Sequence, residues 1–344
     1  MNVVPLAAML LLGPMSSASQ DDSGTSGLRV MTFNVLHSSI LNVVGTWQIR
    51  RPRVVRTIRA ASPDVACLQE VSDRQLADLA RDLPEYEVVG GERSGASSHF
   101  SWCMAIAGLM TTSWLLLKRS QSGSRLLAVV GVLSAAGAIV AVVALFAIRF
   151  IQGDFVERGE RCPILVRRDR LALERHGSFW DSGEPDRPGS KLPGSPSPHV
   201  VTWADLIDRR TGAKSTVYST HLGMIPWTGR RSAATLRARL DRDWRGWPQI
   251  LAGDFNTPPS GILLRSLMVD GDTRAFHDAW SESASRAGTG STFHWGVGRA
   301  GPRIDYVLVR PRLPVAGATT IVPPSPPFPS DHYPLVVTLG VSGS

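Results

Sequence analysis

Six short segments, far apart in the chain, carry the residue types that hydrolytic chemistry on a phosphate ester requires. They are Thr32-Phe33-Asn34, Leu68-Gln69-Glu70, Ser219-Thr220-His221-Leu222, Gly253-Asp254-Phe255-Asn256, Arg303-Ile304-Asp305-Tyr306 and Ser330-Asp331-His332. Carboxylates hold a hard cation such as Mg²⁺ through oxygen, amides orient, and imidazoles bind phosphate or move protons. Gathered at one place, such groups make a metal-assisted phosphohydrolase site. Glu70 follows the apolar run Val65 to Leu68, which places it as a metal ligand; a helix-start glutamate is the plainer alternative. Asp254 and Asn256 alternate along one backbone face after Ile250 to Gly253, a period-two spacing that points both side chains the same way. An Asp/Asn turn before Pro258-Pro259 is the competing reading.

Each polar residue ends a β-branched or apolar run, where a buried strand delivers a side chain to the rim of a sheet. Leu28 to Asn34, Val65 to Gln69, Tyr86 to Val89, Pro163 to Arg168, Leu171 to Phe179, Val200 to Asp208 and Ser215 to Thr220 read as strands. So do Ile250 to Ala252, Ile304 to Val309, Val315 to Val322 and Leu335 to Leu339. Trp47 to Ala61 reads as a helix with Ile49, Val54, Val55 and Ile58 on its apolar face, and Pro52 in its first turns or at a kink. Asp73 to Arg81, capped by Ser72 or Asp73, and Arg230 to Trp244 are the other helices. Strands outnumber helices, and the polar strand ends come from both halves of the chain. The pattern predicts an α/β fold of two packed mixed β-sheets flanked by helices.

The 344 residues suffice for one large domain and an appendage. The net charge is +8, and only Lys118, Lys191 and Lys214 among the 37 basic residues are lysines. No stretch combines clustered basic residues with interleaved aromatics, which argues against a dedicated nucleic-acid-binding segment. Cys67, Cys103 and Cys162 have neither disulfide-framework nor zinc-ligand spacing; buried thiols are expected. Val3 to Leu12 followed by Ser16 to Ser19 resembles a signal peptide or N-terminal anchor (1–20), without the usual basic start. Ser101 to Leu117 and Leu126 to Ile148 carry no charged residue. Their lengths fit a transmembrane hairpin over 101–151. Lys118, Arg119 and Arg125 in the connection place that turn in the cytoplasm, and hence the main domain on the extracytoplasmic side of the membrane.

The ordered set TFN, LQE, STHL, GDFNTPP, RIDYVLV and PSDHYPLV resembles the endonuclease/exonuclease/phosphatase superfamily, the deoxyribonuclease-I-like fold. The likeness runs from about Leu28 to Leu339, in parts spanning 28–93 and 157–340. It implies a four-layer α/β sandwich and Mg²⁺- or Mn²⁺-dependent cleavage of phosphate esters. By that resemblance Asn34 and Asp331 complete the metal environment of Glu70. Asp254 orients or deprotonates the attacking water, and Asn256 positions it and the phosphate. His332 pairs with Asp305, which favours its charged form beside an anionic transition state. His221 binds phosphate and pairs with Glu160, which lies in a stretch resembling the family's glutamate strand. Either His332 or Asp254 could be the general base. Leu36 stands where some nuclease members have an aspartate, and Gly223 where an aspartate often follows THL. His37, His99, His176, His199, His277 and His294 receive no role. The expected activity is that of a membrane-anchored phosphohydrolase acting on nucleic acid, a phospholipid headgroup or a soluble phosphodiester. The alternatives are a degenerate membrane-tethered scaffold and a lipid phosphatase of inverted topology.

Overall fold

Alternating apolar residues along the strands build two sheets that share a core. The computed structural model describes residues 27–38, 44–90, 160–269 and 271–341. The first half contains β1 (Leu28–Asn34), α1 (Trp47–Ala61), β2 (Val65–Gln69), α2 (Asp73–Asp82), β3 (Tyr86–Val89) and β4 (Ile164–Arg167). Then come β5 (Leu171–Trp180), β6 (Val200–Asp208), β7 (Lys214–His221), α3 (Gly229–Arg242), β8 (Gln249–Asp254) and α4 (Ile262–Leu267). The chain continues through β9 (His277–Asp278), α5 (Ala279–Glu282), β10 (Arg286–Ala287), β11 (Asp305–Arg310), β12 (Val315–Thr320) and β13 (Leu335–Leu339). One sheet runs β10-β12-β13-β1-β2-β4-β3 and the other β5-β6-β7-β8-β11-β9. The pairs β1–β2 and β7–β8 are parallel, while β8–β11 and β1–β13 are antiparallel.

Parity sorts the side chains into layers. Leu28, Val30, Val65 and Cys67 of one sheet meet Val217, Ile250, Ala252, Val307 and Val309 of the other in the central core. On the outer face of the first sheet, Met31, Phe33 and Leu68 pack under Trp47, Val54 and Ile58 of α1 and Leu79 of α2. Tyr218, Leu251 and Leu308 pack under Leu236, Leu240, Leu263 and Leu264 of α3 and α4. Helix, sheet, sheet and helix therefore stack in that order.

Helix α1 buries Trp47, Val54, Val55, Ile58 and Ala61. Ile49, expected on this face, is 51% exposed. It lies five residues before Val54, about 140° around the helix, whereas Trp47 lies seven before it and falls in line. Helix α2 starts at a capping box, with Gln75 N donating to Ser72 Oγ and Ser72 N to Gln75 Oε1. Cys67 and Cys162 are buried free thiols, and burial pushes the Cys67 thiol up to about 12. The leader at 1–20 and the hairpin at 101–151 lie outside the described residues. Among the described residues, no helix is long and apolar enough to cross a membrane.

Candidate active site

The parity that puts Val30, Val65, Val217, Ala252 and Val307 between the sheets continues to the strand ends, where the residues turn polar. Asn34, Gln69, His221, Asp254 and Asp305 are the last or first residues on those inward faces. Register aligns them: His221 stands opposite Asp254 on β7–β8, Asp254 opposite Asp305 on β8–β11, and Asn34 opposite Gln69 on β1–β2. The close approach of β7 and β8 here requires glycine. A Cβ at Gly253 would lie 2.0 Å from the Thr220 carbonyl oxygen. Below the polar rim, Thr32 Oγ1 donates to Gln69 Oε1 at 3.3 Å within the first sheet, and Ser219 Oγ donates to Leu68 O at 3.3 Å, which ties the two sheets together.

One hydrogen-bond network joins the rim. Asn34 Nδ2 donates to Glu70 Oε1 at 2.9 Å and to Asp254 Oδ2 at 3.0 Å. His37 N donates to Glu70 Oε2 at 3.0 Å. His332 Nδ1 and Asp305 Oδ2 are 2.8 Å apart, and His332 Nε2 lies 3.7 Å from Asp254 Oδ2. Thr292 Oγ1 fixes the Asp305 backbone by accepting from Ile304 N and Asp305 N at 3.0 Å each. On the other side, His221 Nε2 is 3.6 Å from Asp254 Oδ2 and its Nδ1 is 3.6 Å from Glu160 Oε2. All nine residues singled out in the sequence thus sit in or beside one cleft, with Asp331 joined through Ser330, whose Oγ donates to Asn34 O at 2.7 Å and contacts Asp331 Oδ1 at 3.2 Å.

The strand reading of Asp254 and Asn256 needs correction. Strand β8 ends at Asp254, and Asn256 adopts φ 49° in the left-handed region. Its backbone N–H donates to Asp254 Oδ1 at 2.9 Å. The Asx turn and the site are therefore one feature: the turn brings the Asn256 amide to His221 Nε2 and Leu222 O, both at 2.9 Å. The same amide nitrogen donates to the Leu222 carbonyl, which only accepts, and faces His221 Nε2, while His221 Nδ1 faces Glu160.

Burial and crowded charge tune the groups. Burial raises the Asp254 carboxyl, as does Asp305, while His332 and His221 lower it; the result is about 6. Burial lowers His221, but its bond to Glu160 and the charges of Asp254 and Glu70 lift it to about 10. His332 is likewise pulled down by burial and pushed well above the usual imidazole range by Asp305 and Asp254. Burial and the neighbouring Glu70 both raise Asp331. Adjacent carboxylates that hold each other's protons are what a divalent cation relieves. Asp254, Asp305 and His332 also present ligand atoms within 4.8 Å of one another. Asp305 Oδ1 is buried there with no hydrogen-bond partner. Glu70 and Asp331, neighbouring carboxylates beside the Asn34 amide, make an oxygen-rich, anionic donor set that fits a hard cation of the Mg²⁺ or Mn²⁺ kind.

Several contributors escaped the sequence reading. Arg50 is fully buried. It donates to Gly45 O at 3.0 Å, Leu36 O at 2.7 Å, His37 O at 3.4 Å and Pro329 O at 3.1 Å, and also to Val35 O. It thereby staples the loop after β1 to the loop carrying Asp331. Burial lowers it to about 10 against the pull of Asp331 and Glu70. Arg50→Met should lower stability by about 4 kcal/mol, since it orphans several buried carbonyls. Thermal denaturation should show Tm falling by roughly 10 °C; an unchanged Tm would mean the staple is dispensable. His199, given no role, has Nδ1 3.0 Å from His221 O. A Cβ at Gly223 would meet His199 Nε2 at 2.8 Å, so this ring occupies the space a side chain at 223 would need.

Comparison with known proteins gives the same assignment from outside the molecule. The model of the "Endonuclease/Exonuclease/phosphatase family" matches residues 31–332. No curated protein matches the chain by sequence. A similar solved structure is an endonuclease/exonuclease/phosphatase from Bacteroides vulgatus, 21% identical over 92% of this chain and 100% of that one, with a TM-score of 0.69. A mannosyl-6-phosphatase from Bacteroides thetaiotaomicron is 20% identical over 91% and 99%, with a TM-score of 0.67. The human Nocturnin catalytic domain with bound sulfate is 18% identical over 93% and 96%, with a TM-score of 0.61. At these identities the structures establish a shared fold.

Proposed function

The chain belongs to the endonuclease/exonuclease/phosphatase family and is a phosphoric ester hydrolase, and we propose that it cleaves its ester by cation-assisted, in-line attack of water in the cleft between the two sheets. The observation that carries this reading is the single network Glu70–Asn34–Asp254, flanked by the His332–Asp305 and His221–Glu160 pairs. Glu70 and Asp331, with Asn34, would hold Mg²⁺ or Mn²⁺. When bound, the cation supplies charge neutralisation at the phosphate oxygens.

The protein's own groups do the rest. Asp254, at about 6, is ionised at neutral pH and able to take the proton of the attacking water. His332 keeps its second proton because Asp305 and Asp254 favour it, so it acts as a cation rather than a base. It faces the charge that develops on the phosphate oxygens. Asn256 and His221 hold the phosphate from the other side. Asn34 bridges the cation-binding carboxylate to the base at fixed geometry.

The substrate class is an ester of nucleic acid, of a phospholipid headgroup or of a soluble phosphodiester. A panel of nucleic acids, phosphoinositides, sphingomyelin and bis(p-nitrophenyl) phosphate, each with Mg²⁺ or EDTA, tests the reading. Cleavage of at least one member with Mg²⁺ and none with EDTA is expected. Equal turnover under both conditions, or none anywhere, contradicts it.

The same proposal includes attachment to a membrane through 101–151, with the catalytic domain on the extracytoplasmic side. Its support is the uncharged run Leu126 to Ile148 and the basic connection Lys118, Arg119 and Arg125. The full chain should sediment with membranes and resist carbonate extraction, whereas a chain lacking 101–151 and the leader should not. Recovery of the full chain in the soluble fraction would remove the anchor from the account.

A further inference from the structure

A side chain holds the backbone carbonyl of His221. The pairing of β6 with β7 ends at Val201 opposite Thr220. One residue further along β7, His199 Nδ1 lies 3.0 Å from His221 O. A carbonyl only accepts, so Nδ1 carries the proton and donates. The N–H of the same peptide, that of Leu222, donates to Asp254 O at 2.8 Å. The peptide plane joining His221 to Leu222 is thus pinned from both sides, by the β8 backbone and by the His199 ring.

That plane sets two contacts of the site at once. Asn256 Nδ2 meets His221 Nε2 and Leu222 O, each at 2.9 Å, so it reads both residues that the peptide joins. A rotation of the plane would move the imidazole and the Leu222 carbonyl relative to each other, and one amide nitrogen could not follow both. It would also carry His221 Nδ1 away from Glu160 Oε2, which stands 3.6 Å off. His221 is the last residue of β7, and Gly223 follows without a side chain to stiffen the backbone. Release of the His221 carbonyl therefore reaches the groups that face the phosphate.

The His199 ring is itself placed by its surroundings. Its backbone O accepts from Asp181 N at 2.9 Å, and its Nε2 lies 3.3 Å from Ser195 Oγ. Ser195 N donates to Leu192 O at 3.0 Å, and Ser195 Oγ is 2.8 Å from Ser197 O. The ring leans on Gly223, where a Cβ would lie 2.8 Å from Nε2. Burial and the neighbouring His221 lower the His199 imidazole to about 4, so it is uncharged at neutral pH. Burial disfavours the charge on the His221 ring as well, but there Glu160, Asp254 and Glu70 outweigh it. A neutral donor holds the carbonyl without setting a second positive charge beside that ring. We propose that His199 is a positioning residue for the pair His221–Asn256, fixing the peptide plane on which their contact depends. The assignment rests on the reading that this pair holds the phosphate.

A double-mutant cycle tests this, with binding of inorganic phosphate to the full chain measured by equilibrium dialysis in Mg²⁺. His199→Leu removes the ring N–H and should weaken phosphate about tenfold. In the His221→Gln protein the same change should cost nothing more, because His199 acts through that imidazole. His199→Asn, whose amide nitrogen can stand near the place of Nδ1, should stay within about threefold of the unaltered protein. Unchanged affinity in His199→Leu, even with a lower Tm, marks a merely structural residue and overturns the proposal. So does a loss that adds in full to that of His221→Gln, or a loss in His199→Asn as large as in His221→Gln; this last comparison decides alone if His199→Leu does not fold. Phosphate binding that His221→Gln leaves unchanged, or that the unaltered protein lacks, overturns the reading of His221 and the proposal with it. A weakened His221→Gln beside an unaffected His199→Leu sinks the positioning role alone.

Discussion

Glu70→Gln will lower Mg²⁺-dependent turnover of a phosphodiester on the order of 10³-fold, which corresponds to about 4 kcal/mol of lost transition-state stabilisation. Glutamine keeps the shape of the side chain and removes its charge. In the protein, one Glu70 oxygen accepts from Asn34 Nδ2 and the other from His37 N. The amide of the variant can accept from only one of these donors, so one hydrogen bond is lost at about 1 kcal/mol. Tm should fall by only a few degrees. A large loss of turnover with a small loss of stability separates a cation ligand from a structural carboxylate. Glu70→Gln retaining activity within tenfold of the unaltered protein, at saturating Mg²⁺, would remove Glu70 from the site.

Asp254→Asn should cost about 10³-fold in kcat and change the pH profile with it. Its carboxylate accepts from Asn34 Nδ2 and Asn256 N, so an amide there opposes donor to donor on at least one side. As the water-activating base, Asp254 works only when ionised. Activity of the unaltered protein should therefore fall tenfold per pH unit as acidification protonates it. Burial and Asp305 raise the carboxyl to about 6, and a bound cation lowers it from there. The midpoint of the acid limb should accordingly lie at about 6 or below, and should report the coupled cluster of Asp254, Asp305 and His332. The residual activity of Asp254→Asn should lack this limb. A limb that persists unchanged in the variant assigns the titration, and the base, elsewhere.

Much of this site was legible because strand periodicity carries past the core. Val30, Thr32 and Asn34 share a face, as do Ala252 and Asp254, so an apolar run ending in a polar residue announces both the strand and where it delivers that residue. The family resemblance supplied the companions Asp305, His221 and Glu160, and the structure brings them to the same cleft. What stayed hidden depends on distant or non-periodic geometry. Arg50 looks like one more charged residue on a helix, and it is buried because the loop after β1 and, across the whole chain, the loop at Pro329 both close onto it. The turn at Asn256 overrides the period-two reading because a short side chain, Asp254, captures the backbone N–H two residues on. Helices α4 and α5 have six and four residues, too short to show a helical period. The bridge from Phe293 to His332 joins loop residues that carry no pattern at all.

The central claim is that these acidic and imidazole groups act around a cation, and calorimetric titration with Mg²⁺ or Mn²⁺, run beside turnover of bis(p-nitrophenyl) phosphate, tests it most directly. Turnover should vanish in EDTA, return as the metal is added back, and reach half its maximum at the concentration that half-saturates binding, with Glu70→Gln shifting both together. Undiminished hydrolysis in EDTA, or metal binding that Glu70→Gln leaves untouched, contradicts the account.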